Sequence, residues 1–527
     1  MFESSIHGMT EKGGFTMFRG KVVVFFVLFL AFFFALTGSP SVVKAKSGEL
    51  VVAEGAEIGQ LDPHRARSVQ DFSYGDAIFD GLYQRHDGEI SNGLAESHKL
   101  INNTTWEFKL RKGVRFHNGD SLTAKDVKFS IDRLVNPATN NPISSLYLTI
   151  DKVAVVDDYT VVITTKKPDP LLLKRLALTA WVVPASYIEK IGIEEYLKKP
   201  IGTGPFKFVR WVKNDNLTLE ANKDYWGGAP KLNRVVIKSI PEASSRVAAL
   251  ETGEADIVSN IPPFLIPQLK SKSGIEIQSV LSGRIMLVQL NTRENGQAPL
   301  KNLKVRQALN YAVDKKLIIE KVLMGSAVER ANLLTNYHFG FDPNVKPYPY
   351  DPQKAKKLLT EAGYGDGFQL DFACPIGRYL MDKEVSEAIC GMLNKVGVKT
   401  DLKVMEWGNF LKTALGRQFQ GAYFIGWGNM FDDADGTYSN FWIEEAAVNI
   451  YKTPVAGRVE KLTREAIVEM DKEKRQKMYS EIQKLTVEDA AMIFLYQLKD
   501  NYGVRNRVKG FKARGDEKIG YYGISVD

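Results

Sequence analysis

The chain has 527 residues, too many for one ordinary domain, and its 44% hydrophobic and 25% charged side chains are the balance of a soluble globular protein with a sizeable core. A formal charge of +8 comes from interspersed Lys, Arg, Asp and Glu, so no long basic run suggests a nucleic-acid tail; the surface reads as mildly basic and solvated. The six histidines are scattered, and the HExxH, GxSxG and GxxxxGK[ST] patterns are missing, which leaves no signature of metal, nucleophilic or phosphate-loop chemistry.

Arg19 and Lys21 precede the apolar run VVVFFVLFLAFFFAL (residues 22–36), and Gly38-Ser-Pro and Val43-Lys-Ala45 follow. A charged start, a short apolar core and a Val-x-Ala site predict a secretory signal peptide over residues 1–45, cleaved after Ala45. The run is shorter than the roughly 20 residues of a spanning helix, and Met17 offers a second start. No cysteine lies near the cleavage site, which favours a freely diffusing periplasmic protein over a lipid-anchored one. Cys374 and Cys390, the only cysteines, fall on a predicted strand and inside a predicted helix; export permits a disulfide, but buried thiols are the expectation.

Glu49-Leu-Val-Val-Ala53 reads as the first strand, followed by a loop over residues 54–74 that holds Leu61-Asp-Pro-His64 and Gln70-Asp-Phe-Ser-Tyr74. Phe72 and Tyr74 suit ligand contact and core packing equally. Residues 79–134 form the most specific stretch. It opens with Phe79-Asp-Gly-Leu82 and continues through Asn92-Gly-Leu-Ala-Glu-Ser97. Trp106, Phe108 and Leu110 then alternate with Glu107 and Lys109, the period of a half-buried strand. Gly113 and Asn118-Gly119 turn the chain, and Thr123 with Asp126 predicts a capping box for a helix buried through Val127, Ile131 and Leu134.

As a whole, residues 79–134 closely resemble the recurrent segment of the family 5 extracellular solute-binding proteins, the peptide- and nickel-type receptors of ABC importers. Pro200-Ile-Gly-Thr-Gly-Pro-Phe-Lys-Phe208, Asn222-Lys-Asp-Tyr-Trp-Gly-Gly-Ala-Pro-Lys-Leu232, Arg234-Val-Val-Ile-Lys238 and Ala248-Ala-Leu-Glu-Thr-Gly-Glu-Ala-Asp-Ile257 match that family in order and spacing, and look structural. The resemblance covers residues 50–508. It implies an α/β, two-lobed periplasmic-binding-protein architecture with mixed sheets, an extra α+β subdomain in the first lobe and a two-strand hinge. The expected divisions are a first lobe over residues 46–283 with the subdomain near 80–170, a second α/β lobe over 284–493, and a return over 494–527. It also implies that the loop ending at Tyr74 borders the ligand cleft and that Phe79-Asp-Gly-Leu82 is helical.

From about Arg284 strands and helices alternate, the mark of a parallel α/β lobe. Val305, Ala308, Leu309 and Ala312 share a helical face, and Asp351-Pro352 opens another helix that Gly363 ends. Strands are expected over 368–374, 398–404 and 422–427, with helices over 383–396 and 410–415 between them. In open α/β sheets ligands bind beyond the carboxyl ends of the strands, which nominates residues 375–379, Glu406-Trp407 and residues 427–435. Arg378 suits an anionic group, Trp407 and Trp427 make flat apolar walls, and Asp432, Asp433 and Asp435 suit cations or hydroxyls. Against these stand a surface pairing of Arg378 with Asp382 or Glu384, tryptophans buried in the core, and a solvated acidic turn.

The family resemblance points to the same loops. It implies an arginine after the first of these strands for a peptide carboxylate, matched by Arg378, and a tryptophan in Glu-Trp-Gly lining the pocket, matched by Trp407. It also implies an aspartate three residues past a second tryptophan for an ammonium group. Here that position, after Trp427-Gly-Asn429, is Met430, so Asp432 or Asp433 would have to substitute and the ligand is left open: peptides, glycosides, opine-like solutes or a nickel or other metal chelate. A secreted hydrolase using Asp432, Asp433 and Asp435 is the remaining alternative. The expectation is a monomeric receptor with no cofactor, no resident metal and no nucleic acid. It closes around its solute and docks on membrane permease subunits whose separate ATPase subunit hydrolyses ATP.

Overall fold

A computed structural model describes residues 47–527 apart from 67, 87, 88, 140 and 142; the predicted signal peptide and its cleavage site at Ala45 lie outside the described residues. Two long strands organise the rest. The first, Ile275–Leu290, changes character halfway: IEIQ alternates and stays partly exposed, whereas IMLVQL is a nearly continuous apolar run buried on both faces. Its partner, Met492–Arg505, reverses that order, opening on buried MIFLY and passing through a polar Lys499-Asp-Asn501. The two pair antiparallel, and their register shifts between Leu281 and Ile285, where the pattern changes.

An eleven-stranded sheet grows from both sides of this pair. On one side stand Ala422–Gly428, Phe368–Ile376 and Val398–Glu406; on the other come Ile257–Val258, Glu49–Glu54, Arg234–Ser239, Asn216–Ala221 and Phe206–Val212, and the eleventh strand, Ala327–Glu329, pairs off this path with Met492–Arg505. Phe368–Ile376 is parallel to both Val398–Glu406 and Ala422–Gly428, as the strand–helix–strand order predicts. Ala422–Gly428 pairs antiparallel with Ile275–Leu290, so the second lobe's sheet is mixed and not parallel throughout. The reason is connectivity: the long strand arrives by direct crossing from the first lobe, without a helical crossover to set its direction.

Separate apolar cores lie on the two sides of the crossing, giving the two lobes. One is drawn from residues 285–498, between the sheet and helices such as Asp382–Lys395 and Lys472–Glu488. Asp351 caps Pro352–Glu361 there, accepting from the Lys354 amide at 2.9 Å. The other core combines residues 50–79 and 181–257 with 502–524 of the returning chain. Cys374 and Cys390 are buried free thiols, their pKa pushed up to about 11 by burial.

A four-stranded antiparallel sheet, Ala95–Asn102, Thr105–Leu110, Thr160–Thr165 and Ile150–Asp157, forms the α+β subdomain. Its core runs from Leu82 to Val182 and takes in Trp106, Phe108, Val127, Ile131 and Leu134. The helix Ala124–Val135 starts at the Thr123/Asp126 capping box.

Phe79-Asp-Gly-Leu82 is not helical, against expectation. A Ser68/Asp71 capping box starts the helix earlier, over Val69–Ile78, and Phe79 is already extended. What ends it is a buried junction. Asp80 accepts from Thr203 Oγ1 (2.8 Å), Trp226 Nε1 (2.9 Å) and Tyr225 Oη (3.0 Å). Gly204 N–H bonds Ile78 O at 2.8 Å, and a Cβ on Gly202 would lie 2.2 Å from that oxygen. Three motifs distant in sequence therefore meet at one point, and the glycines of Pro200-Ile-Gly-Thr-Gly204 are there for close approach.

Candidate functional site

Phe368–Ile376 ends in a tight turn held by one carboxylate. Asp382 accepts the backbone N–H of Arg378 (2.9 Å), Tyr379 (3.0 Å), Lys383 (3.0 Å) and Gly377 (3.2 Å). That carboxylate serves amides, so the Arg378 side chain has no salt bridge to it. The guanidinium instead lies over the rings of Tyr379 and Trp407, 5.1 and 5.2 Å from their centroids. Arg378 is exposed, and among the described residues it has no ion-pair partner. Desolvation and then the neighbouring Arg284 lower its pKa, opposed in part by Tyr379, Glu517 and Asp382.

Trp407 begins the helix Trp407–Leu415, whose N-terminus Glu406 caps through the Gly408 and Asn409 amides. The indole is half-buried, stacked on Phe410 beneath Arg378. Trp427 is also half-buried, edge-on to Phe441 at 4.8 Å. Phe72 and Tyr74 lie within the helix Val69–Ile78 in the first-lobe core, and Tyr74 Oη donates to Leu61 O at 3.3 Å. Of the two readings left open for them, the structure places them in packing.

The loop after Ala422–Gly428 is closed on itself. Asn429 donates to Asp433 O and Thr437 Oγ1 and accepts from the Phe431 amide. Met430 and Phe431 pack on Leu171 and Leu178 of the first lobe. The acidic residues are not a solvated turn: all three are buried and paired. Asp433 takes a two-pronged contact from Arg475 (2.6 and 2.8 Å) and lies 3.6 Å from Lys174. Asp432 pairs with Arg85 at 3.0 Å and Asp435 with Arg175 at 3.6 Å. Burial raises the pKa of Asp432 and Asp435, and Arg85 and Arg175 oppose it. Each of these carboxylates already has a cation. Among the described residues no three His, Cys, Asp or Glu side chains converge on a metal position.

Between the lobes, beside Arg378, is a cavity of about 380 Å³. Its walls include Tyr379 from the second lobe, Arg246 and Asn260 from the first, Arg284, Lys499 and Asp500 from the two long strands, and Glu517. Arg284 pairs with Glu517 at 3.2 Å. A smaller cavity of about 210 Å³, lined by Trp181, Tyr225 and Trp226, is confined to the first lobe. Sequence reasoning did not find Arg284, Asp500 or Glu517, which belong to no motif. The available signal was a charged residue in the middle of each long strand.

Residues 89–448 match the family described as bacterial extracellular solute-binding proteins, family 5 Middle. The chain is 32% identical over 477 residues to a heme-binding protein A of Haemophilus influenzae, covering 84% of this chain and 86% of that one. It is 31% identical over 467 residues to a glutathione-binding protein, GsiB, of Pectobacterium atrosepticum, covering 85% and 88%. The solved structure of HbpA2 from Haemophilus parasuis superposes with a TM-score of 0.80 at 26% identity, covering 91% of this chain and 100% of that one.

Proposed function

The chain belongs to the family 5 bacterial extracellular solute-binding proteins, and from that premise we propose that it is the substrate-binding receptor of an ABC importer for small carboxylate-bearing solutes, free peptides foremost. The observation that carries this reading is Arg378, an exposed guanidinium spread over two aromatic rings, without a protein carboxylate, on the wall of an interlobe cavity. Glutathione and heme, for which the two relatives are named, differ in size and shape but both carry carboxylates. A planar fork on an aromatic floor receives such a group through two parallel hydrogen bonds.

The family is made up of periplasmic or extracellular binding proteins that work with ABC permeases, and among the described residues no helix is long and apolar enough to cross a membrane. Residues 46–283 and 494–527 form one lobe in this proposal and 284–493 the other. They move about the register shift near Leu281 and Ile285, and the solute is released unaltered to the permease subunits. We also propose cleavage after Ala45, a monomer in the periplasm, and no catalysis.

Mass spectrometry of solutes released from protein recovered after export tests this. A carboxylate-bearing solute should appear, should raise the thermal midpoint when added back, and should bind Arg378→Ala about 10- to 100-fold more weakly, the worth of a charge-assisted contact. A retained solute with no anionic group, or turnover of the solute, would overturn the reading.

A further inference from the structure

Another concave surface lies on the first lobe, a groove of about 710 Å³. One wall is Phe206–Val212, an edge strand of the long sheet that pairs on one side only, with Asn216–Ala221; residues 59–62 make the other. The register of that pairing shifts between Phe208 and Arg210, which leaves Val209 unpaired and exposed at 36%. Such a bulge spoils an edge as a template for another strand, so what the groove offers is side chains. Leu197, Phe208 and Trp211, all half-buried, give it an apolar floor, and Arg65 and Arg210 are exposed along it.

Its free charge is of one sign. Asp62, the acid among the lining residues, is buried and held by Arg133 at 2.6 and 2.9 Å. Lys198 pairs with Glu195 at 2.6 Å on the open surface. Arg65 and Arg210 have no ion-pair partner among the described residues. The groove therefore suits an acidic segment with apolar residues between its carboxylates. Its concave, apolar floor suits a chain that enters it better than a flat lipid surface.

Strand direction places the groove. Ile275–Leu290 runs from the first lobe towards the second, and two antiparallel steps through Met492–Arg505 give Ile257–Val258 the same direction. Glu49–Glu54 and Arg234–Ser239 follow in parallel, and two further antiparallel steps return that direction to Phe206–Val212. The carboxyl end of the edge strand, and the turn at residues 59–62 after Glu49–Glu54, thus point towards the second lobe. Phe206–Val212 is the sixth strand beyond Ile275–Leu290, about 30 Å along the sheet at about 4.8 Å per strand. The groove is on the side of the cleft farthest from the crossing, where the lobes part and a solute leaves.

We propose that this groove docks an acidic external segment of the membrane permease, held by Arg65 and Arg210 over the apolar floor. This rests on the receptor reading above and adds the surface by which the permease grips the first lobe at the mouth of the cleft.

The test measures binding of labelled, exported protein to right-side-out cytoplasmic-membrane vesicles of the source bacterium, beside protease-shaved vesicles and protein-free anionic liposomes. Wild type should bind intact vesicles and lose them on shaving. Arg65→Glu combined with Arg210→Glu should bind about tenfold more weakly, with solute retention unchanged, and added salt should weaken wild type more than the variant. A benzophenone amino acid in place of Val209 should crosslink to an Asp- or Glu-rich peptide of a permease subunit. Equal binding by wild type and variant would overturn the dock while leaving the receptor reading intact. Wild-type binding that survives shaving or passes to liposomes would overturn it in favour of lipid, and needs no variant to fold. A dimer in solution that the double variant dissolves would assign the groove to a second copy, and a crosslink to any other protein would also overturn the proposal. Solute retention by wild type, scored on the same samples, reports on the receptor reading separately.

Discussion

Two loops leave neighbouring parallel strands of the second lobe and meet the first lobe in opposite electrostatic states. After Ala422–Gly428, Asp432, Asp433 and Asp435 are each matched to a buried or half-buried cation: Arg85, Arg475 with Lys174, and Arg175. After Phe368–Ile376 only the backbone is satisfied, by Asp382, and the one charged side chain left over, Arg378, faces the cavity with rings beneath it. Both loops carry charge at the place where α/β proteins bind ligands. The difference is that one has its counter-ions in the protein and joins the two lobes, while the other, among the described residues, has none.

The largest effect that would sharpen this contrast is on stability. Arg475→Met leaves Asp433, whose side chain is 2% exposed, without its principal partner. Breaking a buried pair from one side costs about 3–5 kcal/mol, readable as a lower denaturant midpoint. Arg378→Met removes a charge with no ionic partner and should stay within about 0.5 kcal/mol of wild type, while weakening solute binding about 10- to 100-fold. Equal losses of stability in the two variants would break the comparison.

A smaller effect lies in acid. Although burial opposes it, Lys518 and Arg514 hold the Asp516 pKa down to about 2, against an ordinary 3.8. Because the folded value is the lower, Asp516 stabilises the protein fully above about pH 4. That contribution fades as the pH falls towards 2, and amounts to roughly 2 kcal/mol. Asp432 and Asp435, raised by burial, have the opposite sign and gain on protonation. Asp516→Asn should therefore be less stable near neutrality and show a shallower loss between pH 4 and pH 2; an unchanged acid limb would mean that Asp516 supplies none of this stabilisation.

What was legible in the sequence is what its neighbours in the chain decide. The Thr123/Asp126 and Asp351 caps, the alternation of residues 106–110 and the parallel strand order depend on spacing alone and appear where expected. Phe79-Asp-Gly-Leu82 misled because Asp80 is fixed by Thr203, Tyr225 and Trp226, 123 to 146 residues away. The aspartates of residues 432–435 look the same on paper whether they face water, a ligand or Arg475. Arg378 was legible because the end of a parallel strand is a place that topology singles out. Asp500 was not, because a polar residue within an apolar strand says that something is there without saying what.

The smallest effect probes whether the acidic loop holds the lobes together. Lys174, in the first lobe, donates to Asp432 O at 2.7 Å and stands 3.6 Å from the Asp433 carboxylate; burial lowers its pKa and those two carboxylates restore part of it. Arg475 belongs to the same lobe as Asp433, so removing Lys174 does not strip the carboxylate of its main partner. What Lys174→Met weakens is the contact between lobes, a contact made only when they are together. A loss of about 1 kcal/mol there shifts the balance between apart and together by roughly fivefold. Apparent solute affinity should fall by up to that factor, although Lys174 does not line the cavity beside Arg378, and small-angle scattering without solute should show a larger radius of gyration. Unchanged affinity and radius would mean that the acidic loop stabilises the second lobe alone, and its contrast with the Arg378 loop would then be one of folding and not of closure.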